Sequence, residues 1–506
     1  MLKLSLDGKE ITVVEGSTLN TVLPDRRPGQ SIGIISPKQV SESETREFLI
    51  LTSAGEIVVE AVRGTNAGTI LSGFNGLNGG WQDLKVASFG PFKSSFTPAR
   101  KPSGYERGDL VIGCGGYDPG RSFLILCRKT HAADHGAAAD GGVIAKVISG
   151  RGVMDRLVQE DRIISVKPVI SFAESSDAIT TTDGSTVLHD GMHLITHIRV
   201  QAEGFLKSGY DLTASESVDL MLLAMQDSEF VVDGCLSNHI RCDILAGTPV
   251  PAQVFGARLE GSVYMRISGK KRGSLYIYTQ DLPGSQAHTR VGEVTHGIEL
   301  CKIAHEGDRL SIIVEPQQFD LVGLSLDEAR KKAEALNITL IPDKEGSERV
   351  VIGQDPPATL KVLDLGSVNV NTIPDEQVIS ISLDDLNAPR TCRIFREVTG
   401  LKYHAVGKLP FLFSFDEVTL FKSTIPKTTH VIPENIPETT VSPGILAMTN
   451  DSCKGVGIVG VRAVASSEFG PTSEPFSGTN QIGLVIDMNK IAGLEEGEVV
   501  YFREVR

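Results

Sequence analysis

The chain has 506 residues, 41% of them hydrophobic and 22% charged, with 52 glycines, one tryptophan and seven cysteines. This is the composition of a folded protein too long for one hydrophobic core, about three or four domains by length. A formal net charge of −14 with no basic run excludes a polyanionic nucleic-acid partner, and no stretch approaches the ~18 uninterrupted apolar residues of a membrane span. The N-terminus lacks the basic-then-apolar pattern of a signal peptide, and the scattered, odd-numbered cysteines fit a reducing cytoplasm without a disulfide framework.

In chain order, "LKLSL" and "EITVV" alternate polar and apolar residues around Asp7-Gly8, a favoured hairpin turn, and Ser17 is placed to start a short helix. Segment 1–44 resembles the opening of ubiquitin-like and plant-ferredoxin-like folds. The ferredoxin cysteine cluster is missing, so no iron–sulfur role carries over. A second hairpin, "REFLILTSAGEIVVEAV", opens a domain predicted over 45–172, which continues as strands separated by glycine loops. The polar, weakly patterned "AESSDAITTTDGS" predicts a linker before a second such domain at 190–317.

An internal repeat links these two domains. "AKVISGRGVMDRLVQEDR" (145–162) and "GEVTHGIELCKIAHEGDR" (292–309) pair Val147 with Val294, Gly150 with Gly297, and Asp161-Arg162 with Asp308-Arg309. A looser third version, "GVGIVGVRAV" through "QIGLVI", ends the chain. It is preceded by "LDDLNAPRTCRIFREVTGL", where Asn387 is placed to cap a helix, Pro389 to sit in its first turn and Gly400 to close it. The strand, long loop, Gly-x-Val strand and glycine-entered helix resemble the cyclophilin fold. The expected class is therefore β-rich α+β, with repeated cyclophilin-like β-barrels, the third over 373–506. Between the second and third, at 318–372, Ser325 and Glu328 form a capping box, and Leu326, Ala329, Ala333 and Leu336 share a helical face. With "VVIGQDPPATLKV" this segment resembles the PASTA module, of which only the fold carries over.

Cyclophilins are prolyl isomerases, and the resemblance implies an arginine in a Phe-x-Arg segment after the first helix. Here "KLPFLFSFDEVTLF" has none, and "FGPFKSSFTPARKPS" in the first copy offers only Arg100 out of pattern, which argues against that activity. Among ligand-type residues, Cys235, His239 and Cys242 in "CLSNHIRC" are the densest cluster and the candidate metal ligands, although a closed zinc site needs a fourth. Cys114, in the glycine loop "GCGGYDPG", is a candidate cofactor contact, set against a simple turn. His131 and His135 flank Asp134 in "HAADH", but the surrounding glycines predict a loop rather than a zinc-presenting helix. Cys127 and Cys392 read as core. His288, His296, Cys301 and His305 crowd the second repeat. Their counterparts are Gly141, Ser149, Met154 and Val158, so this stretch reads as scaffold rather than a metal site.

Over nearly its full length the chain resembles the methanogenesis marker protein 3 family of methanogenic archaea, most specifically in "HTRVGEVTHGIELCKIAHEGDRL", "NAPRTCRIFREVTGL" and "VIGQDPPATLKVLDLGSV". The resemblance implies a cytoplasmic protein associated with the ATP-dependent machinery that reductively activates methyl-coenzyme M reductase. That machinery includes the McrC component, other marker proteins, an ATPase and iron–sulfur clusters. The chain has no phosphate-binding G-x-x-x-x-G-K-[ST] loop and no C-x-x-C-x-x-C run, so it is neither the ATPase nor the sole holder of a ferredoxin-type cluster. The expectation is a non-catalytic scaffold subunit with no cofactor of its own. The alternatives are a prolyl isomerase or chaperone, and a subunit lending ligands to an iron–sulfur cluster shared with a partner.

Overall fold

Runs of alternating Val, Ile, Leu and Phe broken by glycine turns can bury one face only as strands, and the fold is accordingly β-rich. The computed structural model describes residues 1–36, 47–62, 67–169, 177–415, 417–426, 429–491, 494–495 and 497–505. The expected domain limits at 44/45 and 172 lie outside these residues. The chain divides into two compact units, Met1–Gln318 and Phe319–Arg506.

In the first unit, Leu2–Leu6 and Lys9–Val13 form the expected hairpin. Asp7 and Gly8 both take positive φ, 47° and 79°, as a tight primed turn requires. The helix is Leu19–Val22 with Thr18, not Ser17, at its N-cap; Ser17 donates its hydroxyl to the Val14 carbonyl instead. The sheet is completed from far along the chain. Its order is Asp177–Thr181, Ile32–Ser36, His193–Ile195, Leu2–Leu6, Lys9–Val13, with His193–Ile195 parallel to the first strand. The expected linker "AESSDAITTTDGS" thus contains an edge strand over its described part, and the second barrel begins after 195 rather than at 190. The first barrel is inserted into a small sheet domain. The linker reading fails because an edge strand exposes one face, Ile179 being 47% accessible, and so carries little apolar signal.

The repeats build one barrel three times. In the second unit the strands Val378–Leu383, Thr479–Val485, Ile445–Thr449, Val459–Arg462, Val418–Phe421, Val406–Phe415 and Val499–Glu504 are neighbours in that order and close. The second copy follows the same order. His197–Ala202 leads through His288–His296, Ser262–Arg266, Leu275–Tyr278 and His239–Cys242 to Gly234–Leu236, and Glu229–Val231 then leads through Arg309–Glu315 back to the start. Gly234–Leu236 and Glu229–Val231 are two halves of one position, so the chain at Val232 and Asp233 completes this ring. The first copy, a closed barrel, has the same order, with Glu47–Thr52 inserted between Arg162–Val169 and Gly55–Ala61. In every copy a helix follows the first shared strand: Ala67–Leu71, Ser215–Ala224 and Pro389–Thr399.

Pro389–Thr399 begins with its proline at N1 and closes on Gly400 at φ 89°, as expected. Asn387 is not its cap: Ala388 is, and the Asn387 amide donates to Asp384. Cys392 lies fully buried with Phe395, Phe421 and Phe502 in this barrel's core. Ahead of it, Ser325 and Glu328 make the capping box of helix Leu326–Ala335, which packs Leu326, Ala329 and Ala333 inward. Leu336 leaves that face, at 48% accessibility, because it is the helix's C-cap residue.

Candidate functional site

The repeated residues turn out to be structural. Gly150 and Gly297 take matching left-handed conformations, φ 81° in each, at the entrance to short helices Arg151–Arg156 and Ile298–Ile303. A Cβ on Gly150 would stand 2.3 Å from the Glu56 carbonyl, and one on Gly297 2.4 Å from that of His197. Asp161 and Asp308 each close the turn after their helix, accepting the N–H three residues back and a serine hydroxyl (Ser53 or Ser31) from just beyond the end of another strand. These positions recur because the barrel needs them.

Where the copies differ, side chains converge. Glu56 and His197 occupy equivalent positions beneath the two glycines, and His296 replaces Ser149. Among the described residues, Asp7, His197 and His296 bring ligand-type atoms within 4.8 Å of one another. Asp7 comes from the hairpin turn, His197 from the start of one strand and His296 from the end of another. His296 Nε2 lies 3.4 Å from Asp7 Oδ1, and His197 Nδ1 lies 3.5 Å from Asp7 Oδ2. The His296 Nδ1 edge meets Glu56 Oε1 at 2.9 Å. Thr196 fixes the Asp7 carboxylate, donating its N–H to one oxygen at 2.8 Å and its hydroxyl to the other at 2.6 Å. The two imidazole rings lie 4.9 Å apart.

The electrostatics follow from burial and pairing. Desolvation alone would raise the Asp7 carboxyl, but hydrogen bonds with His197, His296 and Thr196 hold it well below the usual carboxylate range. Burial works against a charged His296, yet Asp7 and Glu56 on its two nitrogens push it up to about 10. Without a metal, the cluster is therefore an imidazolium held between two carboxylates. Glu56 and His296 also line an open cleft with Glu260 and Glu299.

Beside this cleft the two barrels are fastened by buried charge. Glu293, 1% accessible, meets Arg290 on its own strand and Arg156 from the first barrel's helix at 3.6 Å. Gly152 makes room for it: a Cβ there would fall 1.4 Å from Glu293 Oε1.

Of the residues singled out from sequence, His296, there read as scaffold, belongs to the cluster, and the others lie elsewhere. Cys235, His239 and Cys242 do not form one site. Strand alternation turns His239 to the face opposite Cys242 and Ile240, and Cys235 pairs with Ile240. Exposed Cys235 donates to the Ala304 carbonyl at 3.2 Å, and buried Cys242 has its thiol pushed up to about 11 by desolvation. His239 instead packs against Tyr276 and Tyr278, where His288 joins them. Cys114, the last residue of strand Asp109–Cys114, is buried with its thiol donating to the Gly136 carbonyl at 3.1 Å. His131 lies in a three-residue strand, its Nε2 3.1 Å from that of His135, while Asp134 turns away to Tyr117. Arg100 stacks over Tyr117. Cys127 and Cys301 are core, and His305 sits at the surface near Thr180. Sequence reasoning passed over Asp7 as a turn residue and did not single out Glu56 or His197. The signal that finds them is divergence between the repeats.

Family models match two parts of the second unit. Residues 379–505 match a family described as "Putative peptidyl-prolyl cis-trans isomerase domain", and 320–382 match the PASTA domain. A UPF0288 protein of Methanosarcina acetivorans is 34% identical over 100% of this chain and 97% of its own length. One from Methanothermobacter thermautotrophicus is 29% identical over 99% and 97%. The cyclophilin AquaCyp293 of Hirschia baltica, 10% identical, aligns with 34% of this chain and 88% of its own at a TM-score of 0.20. The chain is thus a multidomain β-barrel protein with a PASTA domain. It belongs to the UPF0288 family of methanogenic archaea.

Proposed function

We propose that the protein is a non-catalytic assembly subunit of the ATP-dependent complex that reductively activates methyl-coenzyme M reductase, in the role of a methanogenesis marker protein 3. One observation carries this reading. The same barrel is built three times, and the strand after its first helix contains no arginine in any copy: "NGLNGGWQ", 229–236 and "VGKLPFLFSF". Three retained scaffolds without that side chain suit extended-segment binding better than isomerisation. The UPF0288 relatives in Methanosarcina acetivorans and Methanothermobacter thermautotrophicus support the setting. The proposed partners are the reductase, the McrC component, the other marker proteins and the ATPase, in the cytoplasm. Anaerobic purification of the tagged chain from a methanogen should bring them down together; recovery of the chain without the reductase and the other marker proteins would overturn the proposal.

The family match over 379–505 favours one second reading, a prolyl isomerase or chaperone acting through the third barrel. A proline-peptide assay separates the two: the scaffold reading expects turnover at the uncatalysed rate. Lending a ligand to a partner's iron–sulfur cluster would fall to Cys235, the exposed cysteine. Unchanged iron in the complex carrying Cys235→Ala would dismiss that role.

A further inference from the structure

We infer that Asp7, His197 and His296 form a binding site for one divalent transition-metal ion, with Glu56 as the carboxylate that orients His296. The inference concerns residues outside the sequence-derived metal candidates and does not depend on the assembly role.

The spacing supports it. A charge-assisted N–H···O bond closes to about 2.7–2.9 Å, as His296 does with Glu56 at 2.9 Å. The two contacts of Asp7 stay longer, at 3.4 Å to His296 and 3.5 Å to His197. Ligands about 2.0–2.1 Å from a tetrahedral metal stand about 3.3–3.4 Å apart; the two distances are of that size and run one to each Asp7 oxygen, as they would for a carboxylate that reaches one ion through both oxygens. The surroundings fit as well. Metal-bound histidines commonly give their second nitrogen to a carboxylate, which fixes tautomer and ring direction. Glu56 stands in that position, and Thr196 holds Asp7 through both of its oxygens.

Two imidazoles and one carboxylate select zinc, iron(II), cobalt(II) or nickel(II) over magnesium and calcium, which prefer all-oxygen shells. Binding deprotonates His296, so the ion takes the place of a proton already held between two carboxylates. The ligands come from three parts of the first unit: the N-terminal hairpin, and the two ends of strands in the second barrel, with Glu56 from the first. A bound ion would therefore fasten them together.

The test uses the full chain, stripped with chelator and titrated anaerobically. Cobalt(II) is followed by its ligand-field absorption and zinc by competition with a chelating dye. One ion per chain is expected, with a spectrum of nitrogen and oxygen ligation and a zinc-dependent rise in the melting temperature. His197→Gln and His296→Gln should each weaken binding about 100-fold or more. Glu56→Gln should weaken it ~10–100-fold while keeping one ion per chain. His131→Gln, in the other histidine pair, should leave affinity unchanged. Absence of stoichiometric binding by the folded wild type overturns the inference, as does a sulfur-to-cobalt charge-transfer band. Unaltered affinity in both histidine variants does so too. Asp7→Asn covers the case in which a histidine variant fails to fold, since the amide still offers Thr196 an oxygen; unaltered cobalt affinity there is equally fatal.

Discussion

The two matching stretches, 145–162 and 292–309, fold alike and do different work. Both enter a short helix through a left-handed glycine and leave it through a turn closed by aspartate. At the positions between, the first copy has Ser149 above Glu56, and the second has His296 above His197. The barrel is preserved by what recurs; the cluster is assembled from what changed, with Asp7 added from outside the repeat. The helices have diverged in the same sense. Gly152 opens the first to receive Glu293, whereas its counterpart Glu299 lines the cleft. Ile303 and Leu300 of the second helix pack beside Gly33 of the N-terminal sheet, while Cys301 is buried as its counterpart Met154 is. Duplicated folds thus separate positions that hold the scaffold from positions free to acquire chemistry.

The largest effect should come from the charge that joins the copies. Glu293→Gln removes the carboxylate shared by Arg290 and Arg156, leaving Arg290 with Glu203 at 2.9 Å and the half-buried Arg156 without Glu293, and should cost about 3–5 kcal/mol in urea unfolding of the full chain. Next come the shared glycines. Gly150→Ala and Gly297→Ala each force a left-handed alanine against a backbone carbonyl, at 2.3 and 2.4 Å. Each should cost about 2–4 kcal/mol, and by similar amounts, because the two sites are geometrically alike. A large cost at one glycine and none at the other would break the equivalence of the copies.

This divergence also sets what the sequence could reveal. Gly150, Gly297, Asp161 and Asp308 were visible because identical backbone demands leave identical residues. Asp7-Gly8 and the Ser325 capping box were visible because the turn and cap chemistry is local. The insertion of the first barrel into the N-terminal sheet was not, since "DAITT" and "HLI" are too short and too polar to announce strands. The Cys235, His239 and Cys242 grouping misled because closeness in sequence along paired strands puts neighbours on opposite faces. The cluster itself draws on residues 7, 56, 197 and 296, which only the folded barrels bring together.

The smallest effect tests the diverged side of the comparison, in chelator-treated protein. His296 is pushed up to about 10 in the folded chain, against an ordinary histidine value near 6.5. A folded pKa above the unfolded one gives stability that is complete below about pH 6.5 and is lost as pH rises through 10. Asp7 is shifted the opposite way, so its contribution is present above about pH 4 and fades as acid protonates the carboxylate. Partial exposure and sharing of the same ion pair reduce the His296 contribution to about 2 kcal/mol. Unfolding free energies of the wild type from urea titration should therefore fall between pH 7 and 10 by that amount, with the midpoints falling in step, whereas those of His296→Gln should stay flat. Glu56→Gln should retain the fall but begin it at lower pH, since Asp7 alone then holds the imidazolium. A wild-type midpoint that does not change across this range would mean that the second copy's histidine, like the first copy's serine, contributes no charge to the fold.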